Sequence, residues 1–282
     1  MLDRKLELRI NELAYVPEHV IPLITALSKG EPFFSEGFLY FRGDYWVIFV
    51  GYPLGLPYSE EKILSSLDRI FDSFDFEYLW LIAPKIPNQL KEKASLQSKD
   101  RYYILELNSY IPPERLIKKV NNASSRVSLK ISKSYTEEHL ALTEEFLKGK
   151  VLDPFVLALF KTIPTYIRDA QLSYLIEARD LAENLCGFYV IDAHAKDFLV
   201  YLLGCRKTSL DIKCVSDILF LEMVNLAKKL EKKYIHLGLG VSEGIKRFKE
   251  KWGGKPFLPY EFIEVRRKKN LLEKIKRLER IL

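Results

Sequence analysis

An order of predicted elements that occurs twice along the 282 residues constrains the fold most. In the first half, two aromatic segments, Phe38–Phe41 and Tyr45–Val50, flank an Arg-Gly-Asp turn and predict a β-hairpin. A helix with apolar residues at helical spacing follows the N-cap Ser59, and a buried strand spans residues 76–83. Hairpins, helices and buried strands in this order predict an α/β fold.

The second half repeats this order. Residues 186–193 and 198–204 predict a second hairpin, residues 215–230 the strongest helix, and Tyr234–Leu239 a strand. Direct matches between the halves are short, so internal duplication and chance similarity of aromatic strands both remain possible. The order predicts two modules with mixed sheets flanked by helices, at residues 1–110 and 111–266, and a C-terminal amphipathic helix at 267–282.

The net charge of +6 lies in the tail. Residues 266–282 contain eight bases and two acids, which leaves equal numbers of acidic and basic residues elsewhere. This distribution argues against a general nucleic-acid-binding face. The tail also has an apolar stripe at Leu271, Ile275, Leu278 and Leu282, so three uses stay open: docking on the body or in a homodimer, contact with tRNA or another polyanion, and contact with an anionic membrane surface.

Targeting and metal signals are absent from the sequence. The first residues are too charged for a signal peptide, and no apolar run approaches the ~20 residues of a membrane span. The three cysteines form neither a disulfide framework nor a metal pair, and the histidines lack metal-ligand spacing. We therefore expect a cytoplasmic protein without a membrane span and without a metal.

Three segments after residue 233 carry a resemblance to a known family. They are Tyr234-Ile235-His236-Leu237-Gly238, Gly244-Ile245-Lys246-Arg247-Phe248-Lys249 and Trp252-Gly253-Gly254. Together with the helix that precedes them, they resemble the tandem acyl-CoA N-acyltransferase (GNAT-like) proteins over some forty residues. The relevant branch contains the Fem-type aminoacyl transferases and uncharacterised relatives.

The resemblance implies transfer of an acyl or aminoacyl group from a thioester, such as acyl-CoA, or from aminoacyl-tRNA to an amine of a small molecule or peptide. In that superfamily two neighbouring strands splay apart, and the arm of the donor lies in the gap. A non-catalytic binding or scaffold protein that keeps the fold is the alternative. An open gap between strands 198–204 and 234–239 favours the enzyme, whereas a gap filled by aromatic side chains favours the scaffold.

The resemblance also suggests where the phosphates of a donor bind. They are expected between strand 198–204 and the next helix, where free backbone N–H groups favour anions. The candidate residues there are Arg206, Lys207, Thr208 and Ser209. The glycine-rich coenzyme A signature of many relatives is absent from this loop, which leaves a solvated basic loop as the alternative.

Three further residues are catalytic candidates. A neutral imidazole at His236 is expected to accept a proton from an amine, with a structural histidine in a strand as the alternative. Lys249 occupies the Phe-Lys position of the resemblance and is expected to meet a phosphate or an oxyanion, unless it is simply solvated. Tyr260, on the last predicted strand, has the chemistry of an acid or base.

Overall fold

The computed structural model describes residues 2–150, 154–207 and 214–267 and divides them into two compact units. Unit 1 contains Ser28–Asp100, the described chain from Pro259 onward and the first residues. Unit 2 contains Arg4–Leu27 and Arg101–Leu258. The expected tail helix lies outside the described residues, apart from Arg267.

Helices and strands are interspersed along the chain, as expected for an α/β protein. The helices are α1 (Arg4–Leu13), α2 (Ile21–Ser28), α3 (Glu60–Ser73), α4 (Asn88–Lys91), α5 (Glu114–Ser124), α6 (Glu137–Leu147), α7 (Pro154–Asp169), α8 (Val215–Lys229) and α9 (Glu243–Lys251), with a 3₁₀ turn at Pro17–His19. The strands are β1 (Glu31–Ser35), β2 (Phe38–Arg42), β3 (Trp46–Val50), β4 (Tyr78–Ala83), β5 (Ala94–Glu106), β6 (Val127–Ser132), β7 (Ser173–Asp180), β8 (Leu185–Asp192), β9 (Phe198–Arg206), β10 (Tyr234–Leu239) and β11 (Lys255–Arg266).

In unit 1 the strands are ordered β1-β2-β3-β4-β11. Neighbours pair antiparallel except β3 and β4, which are parallel. Helix α3 forms the crossover between these parallel strands. Ser59 caps α3 by accepting a hydrogen bond from Lys62 N (3.3 Å), and Ile63 and Leu67 are buried in the core of this unit.

In unit 2 the order is β5-β10-β9-β8-β7-β6, again with one parallel pair, β9 and β10. Helix α8 is the crossover. Its side chains Leu219, Met223 and Ala227 are completely buried and belong to one core cluster with Ile235 and Leu237 of β10. This cluster fixes α8 over the parallel pair.

The two units therefore share one pairing scheme: an antiparallel hairpin, a crossover helix, a parallel strand and an antiparallel last strand. The last strand of each scheme comes from the other half of the sequence, because β11 pairs with β4 and β5 pairs with β10. The compact units consequently interleave along the chain, whereas the sequence had suggested consecutive modules that meet at residue 110.

Two regions differ from the sequence-based expectation. The polar composition of residues 91–99 predicts a loop or short helix, but α4 ends at Lys91 and β5 already begins at Ala94. The first 36 residues, for which the pattern made no prediction, form α1, the 3₁₀ turn, α2 and β1. In the part of the chain that the structure describes, no helix is both long and apolar enough to cross a membrane.

Candidate active site

The parallel pairing of β9 and β10 covers only the beginning of the two strands. Tyr234, Ile235 and His236 pair with Phe198, Leu199 and Val200. β9 continues to Arg206 and β10 to Leu239, but in the described structure these continuations do not pair with each other. We call the space between 201–206 and 237–239 the fork.

Local backbone geometry explains why the strands separate. Gly238 has a φ of +73°, a conformation that favours glycine, and its N–H donates to His236 Nδ1 over 3.2 Å. The register between β10 and β5 also shifts between His236 and Leu239. A shift of this kind bends a strand and turns it away from a neighbour.

The fork is open beside Gly238. Apart from adjacent residues, a side-chain carbon on Gly238 would meet one described heavy atom within 4 Å, the backbone oxygen of Tyr201 at 3.9 Å. No described aromatic ring lies within 4 Å of that carbon, whereas a side-chain carbon on Gly204 of β9 would meet the side chains of Tyr189 and Tyr201.

The corresponding strands of unit 1 stay together. β3 and β4 pair at five consecutive positions, from Trp46–Tyr78 to Val50–Ile82. The pairing continues as Gly51 N donates to Ile82 O over 2.6 Å. Of the two parallel pairs in the described sheets, only β9 and β10 separate.

His236, the last paired residue of β10, is completely buried at the base of the fork. Because Nδ1 accepts the Gly238 N–H, the neutral imidazole has its proton on Nε2. Nε2 has no hydrogen-bond partner among the described residues. Burial, followed by the charges of Lys249 and His19, lowers the pKa of His236 to about 3, so the ring stays neutral at physiological pH.

A carboxylate from the N-terminal segment belongs to the same cluster. Glu18, half-buried in the 3₁₀ turn, accepts a hydrogen bond from the Tyr102 hydroxyl over 2.7 Å. The ring of Tyr102 meets the His236 ring edge-to-face, with centroids 4.9 Å apart. Burial raises the pKa of Glu18 to about 7, although the Tyr102 hydrogen bond opposes the shift. Neither Glu18 nor Tyr102 belongs to a sequence pattern that marks a functional site.

Lys249 lies on α9 near the open end of β10. Its side chain is 4% exposed, and Nζ donates to the carbonyl oxygen of Leu239 over 2.5 Å. Nζ also lies 5.6 Å from the centre of the Tyr103 ring. The hydrogen bond ties α9 to the end of β10.

The expected phosphate-binding residues lie at the end of β9. Arg206 is its exposed last residue, and Lys207 is half-buried, with its N–H donating to Cys186 O over 2.9 Å. Thr208 and Ser209 lie outside the described residues. The first turn of α8 contains Asp217, which is 4% exposed and pairs with Lys251 Nζ over 2.5 Å.

Tyr260 does not belong to the same compact unit as these residues. It is half-buried on β11 in unit 1, whereas His236 and Lys249 belong to unit 2. Within the described ranges, no group of three or more His, Cys, Asp or Glu side chains is placed to hold a metal ion.

The chain resembles several solved structures in fold at low sequence identity. No protein-family model matches the chain, and a search of curated proteins finds no match. Among solved structures, FemX is 12% identical with a TM-score of 0.60, covering 99% of this chain and 98% of FemX. L-PGS from Bacillus licheniformis is 13% identical with a TM-score of 0.55, covering 92% and 90% of the two chains. A tandem GNAT protein from the clavulanic acid biosynthesis pathway is 11% identical with a TM-score of 0.55, covering 93% and 94%. The chain thus has the α/β fold of tandem GNAT-like proteins and of FemX.

Proposed function

We propose that this protein transfers an acyl or aminoacyl group from a thioester or an aminoacyl-tRNA to an amine, and that the fork is the site of transfer. The observation that carries the proposal is the end of β9–β10 pairing at Val200 and His236, which leaves two strand edges facing an open space. Strand edges that face such a space present backbone N–H and C=O groups to a ligand.

The chemistry follows from the position of these groups. An extended, amide-rich donor arm forms hydrogen bonds with the edges of residues 201–206 and 237–239. Its carbonyl lies near the base of the fork, and we assign the Nε2–H of His236, which has no hydrogen-bond partner among the described residues, to its oxygen. A hydrogen-bond donor that is held in place and directed at the oxygen where negative charge develops stabilises the transition state. A pKa of about 3 makes His236 a poor base at neutral pH, so we assign it this donor role rather than proton acceptance.

The anionic part of the donor is placed at the end of β9. Arg206 and Lys207, with Thr208 and Ser209 beyond them, are the groups proposed to bind phosphate. Asp217 already places a carboxylate in the first turn of α8, so side chains rather than the helix end would provide most of the attraction. We assign Lys249 a positioning role: its hydrogen bond to the Leu239 carbonyl keeps the end of β10 in place. Tyr260 remains a candidate acid or base.

One observation favours the alternative, a scaffold that keeps the fold without the chemistry. The carboxylate of Asp217 opposes an anion at the helix end where relatives are expected to bind phosphate. On this alternative no donor enters the fork. We further propose that the basic tail binds tRNA and that the protein forms a homodimer. Both proposals are compatible with the enzyme and with the scaffold.

Titration of donors against a fork variant tests the proposal. Acetyl-CoA and aminoacyl-tRNA are titrated against the wild type, Gly238→Asn and Gly244→Asn. Asparagine tolerates the left-handed backbone of Gly238 and fills the open space. A side-chain carbon on Gly244 would meet no described atom within 4 Å, so this residue serves as the matched control.

We expect one donor to bind the wild type and the Gly244 variant alike, with at least about tenfold weaker binding to Gly238→Asn, which is about 1.4 kcal/mol. Melting temperatures identify any variant that is merely misfolded. Failure of both donors to bind the wild type, or equal binding by the two variants, would exclude the fork as the site.

A further inference from the structure

We propose that Glu18 is the proton acceptor of the fork, positioned by Tyr102, and that the acceptor substrate is an amine that arrives as a protonated ammonium ion. This inference rests on the proposed function. It assigns a catalytic role to a residue outside the three segments that carry the family resemblance, since Glu18 belongs to the N-terminal segment.

The geometry connects Glu18 to the fork through one side chain. Tyr102 lies on β5 opposite Leu239, the last residue of β10. Its ring contacts His236 at the base of the fork, and its hydroxyl donates to Glu18 Oε2 over 2.7 Å. The carboxylate is therefore one tyrosine ring away from His236, and Glu18 is half-buried rather than enclosed.

The turn that presents Glu18 is anchored. Val16 and Val20, on either side of the 3₁₀ turn, are completely buried. Val20 N donates to Pro17 O over 2.9 Å, and His19 N to Val16 O over 3.1 Å. A carboxylate on such a turn keeps its position relative to β5, as proton transfer requires.

The other titratable groups near His236 are less suited than Glu18 to accept a proton. His236 stays neutral, and Lys249 donates to the Leu239 carbonyl. His19 is buried, and its Nδ1 accepts a hydrogen bond from Tyr15 N over 3.3 Å. Glu18, with a pKa raised by burial to about 7, has a carboxylate that is available at neutral pH and basic enough to take a proton.

The step balances as follows. The ammonium ion gives one proton to the Glu18 carboxylate and becomes a neutral amine. Its nitrogen lone pair attacks the carbonyl carbon of the donor, and an N–C bond forms while the C–S or C–O bond of the donor breaks. The second proton of the nitrogen goes to the leaving thiolate or alkoxide, and Glu18 returns its proton to solvent.

Acceptors that differ in charge test this assignment. The wild type, Glu18→Gln and Glu12→Gln are assayed at pH 7 with the donor identified by titration and with two acceptors. One acceptor is a primary alkylamine, which is protonated at this pH, and the other is hydroxylamine, which is largely neutral. Glutamine keeps an oxygen for the Tyr102 hydroxyl, and Glu12 is an exposed carboxylate of α1 that serves as the control.

We expect Glu18→Gln to lose about 10²-fold or more in kcat/KM with the alkylamine and to lose little with hydroxylamine. The pH profile of the wild type with the alkylamine should also show a limb near pH 7 that the variant lacks. Equal losses with both acceptors, or no loss, would overturn the role of Glu18 while leaving transfer itself established. No turnover by the wild type with either acceptor would overturn the proposed function and this inference together.

Discussion

The indole N–H of Trp252 donates to Asp217 Oδ1 over 2.9 Å, joining the end of α9 to the first turn of α8. Trp252 is completely buried, and its ring stacks on Phe220 with centroids 4.9 Å apart. The two helices follow the two strands of the fork, so this bond connects the segments that leave β9 and β10.

Replacement of Trp252 by phenylalanine keeps a stacking ring but removes the donor. We expect Trp252→Phe to lower the free energy of unfolding by about 2 to 4 kcal/mol, because a buried carboxylate loses a hydrogen bond and the core loses ring volume. Urea denaturation measures the change.

Asp217→Asn is the matched variant, since an amide oxygen still accepts from the indole. Lys251, 36% exposed, regains water when its partner loses charge, so the expected cost is about 1 kcal/mol. A larger loss in Asp217→Asn than in Trp252→Phe would show that the ion pair, rather than the indole bond, holds the two helices.

The low pKa of His236 predicts a pH-dependent stability. The unfolded state takes up the proton at a pKa of about 6.5 and the folded state only at about 3. Between these two pKa values the protein therefore takes up a proton when it unfolds. The free energy of unfolding falls as the pH decreases through this range, by up to about 1.4 kcal/mol per pH unit.

Comparison with a residue that does not titrate isolates this contribution. Between pH 6.5 and 4.5, the wild type should lose about 2 to 3 kcal/mol more than His236→Gln in urea denaturation. NMR titration of the His236 ring in the folded protein should show a constant signal above about pH 4. A midpoint near 6.5 would mean that the ring is hydrated or paired, and the assignment of a permanently neutral donor would be wrong.

The part of the site that could be read from the sequence is the part carried by local pattern. Strand 234–239 was placed correctly because alternating and apolar residues lie between turn-forming glycines and lysines. His236 was chosen for an imidazole within a predicted strand and Lys249 for its position in a segment of the resemblance; both belong to unit 2, and their catalytic roles stay predictions.

Glu18 and Tyr102 could not be found in this way. They are separated by 84 residues, and their hydrogen bond depends on how the N-terminal turn packs on β5. The dipeptide Glu18-His19 after a proline is the only local sign, and such dipeptides are common. The sequence also gives no sign that the two halves exchange their last strands, because the patterns of β5 and β11 are those of ordinary strands in their own modules.

The closed strand pair of unit 1 gives the last prediction. A side-chain carbon on Gly51 would lie 2.8 Å from Ala83 Cβ and 3.1 Å from Ile82 O, so it cannot be accepted without movement of β4. We expect Gly51→Ala to lower the free energy of unfolding by about 1 to 3 kcal/mol, as overpacking does, and to leave donor affinity unchanged. Gly238→Asn should show the reverse: weakened donor binding with a smaller loss of stability. If donor affinity instead falls in Gly51→Ala and is retained in Gly238→Asn, the donor binds unit 1, and separation of β9 from β10 is not the feature that creates the site.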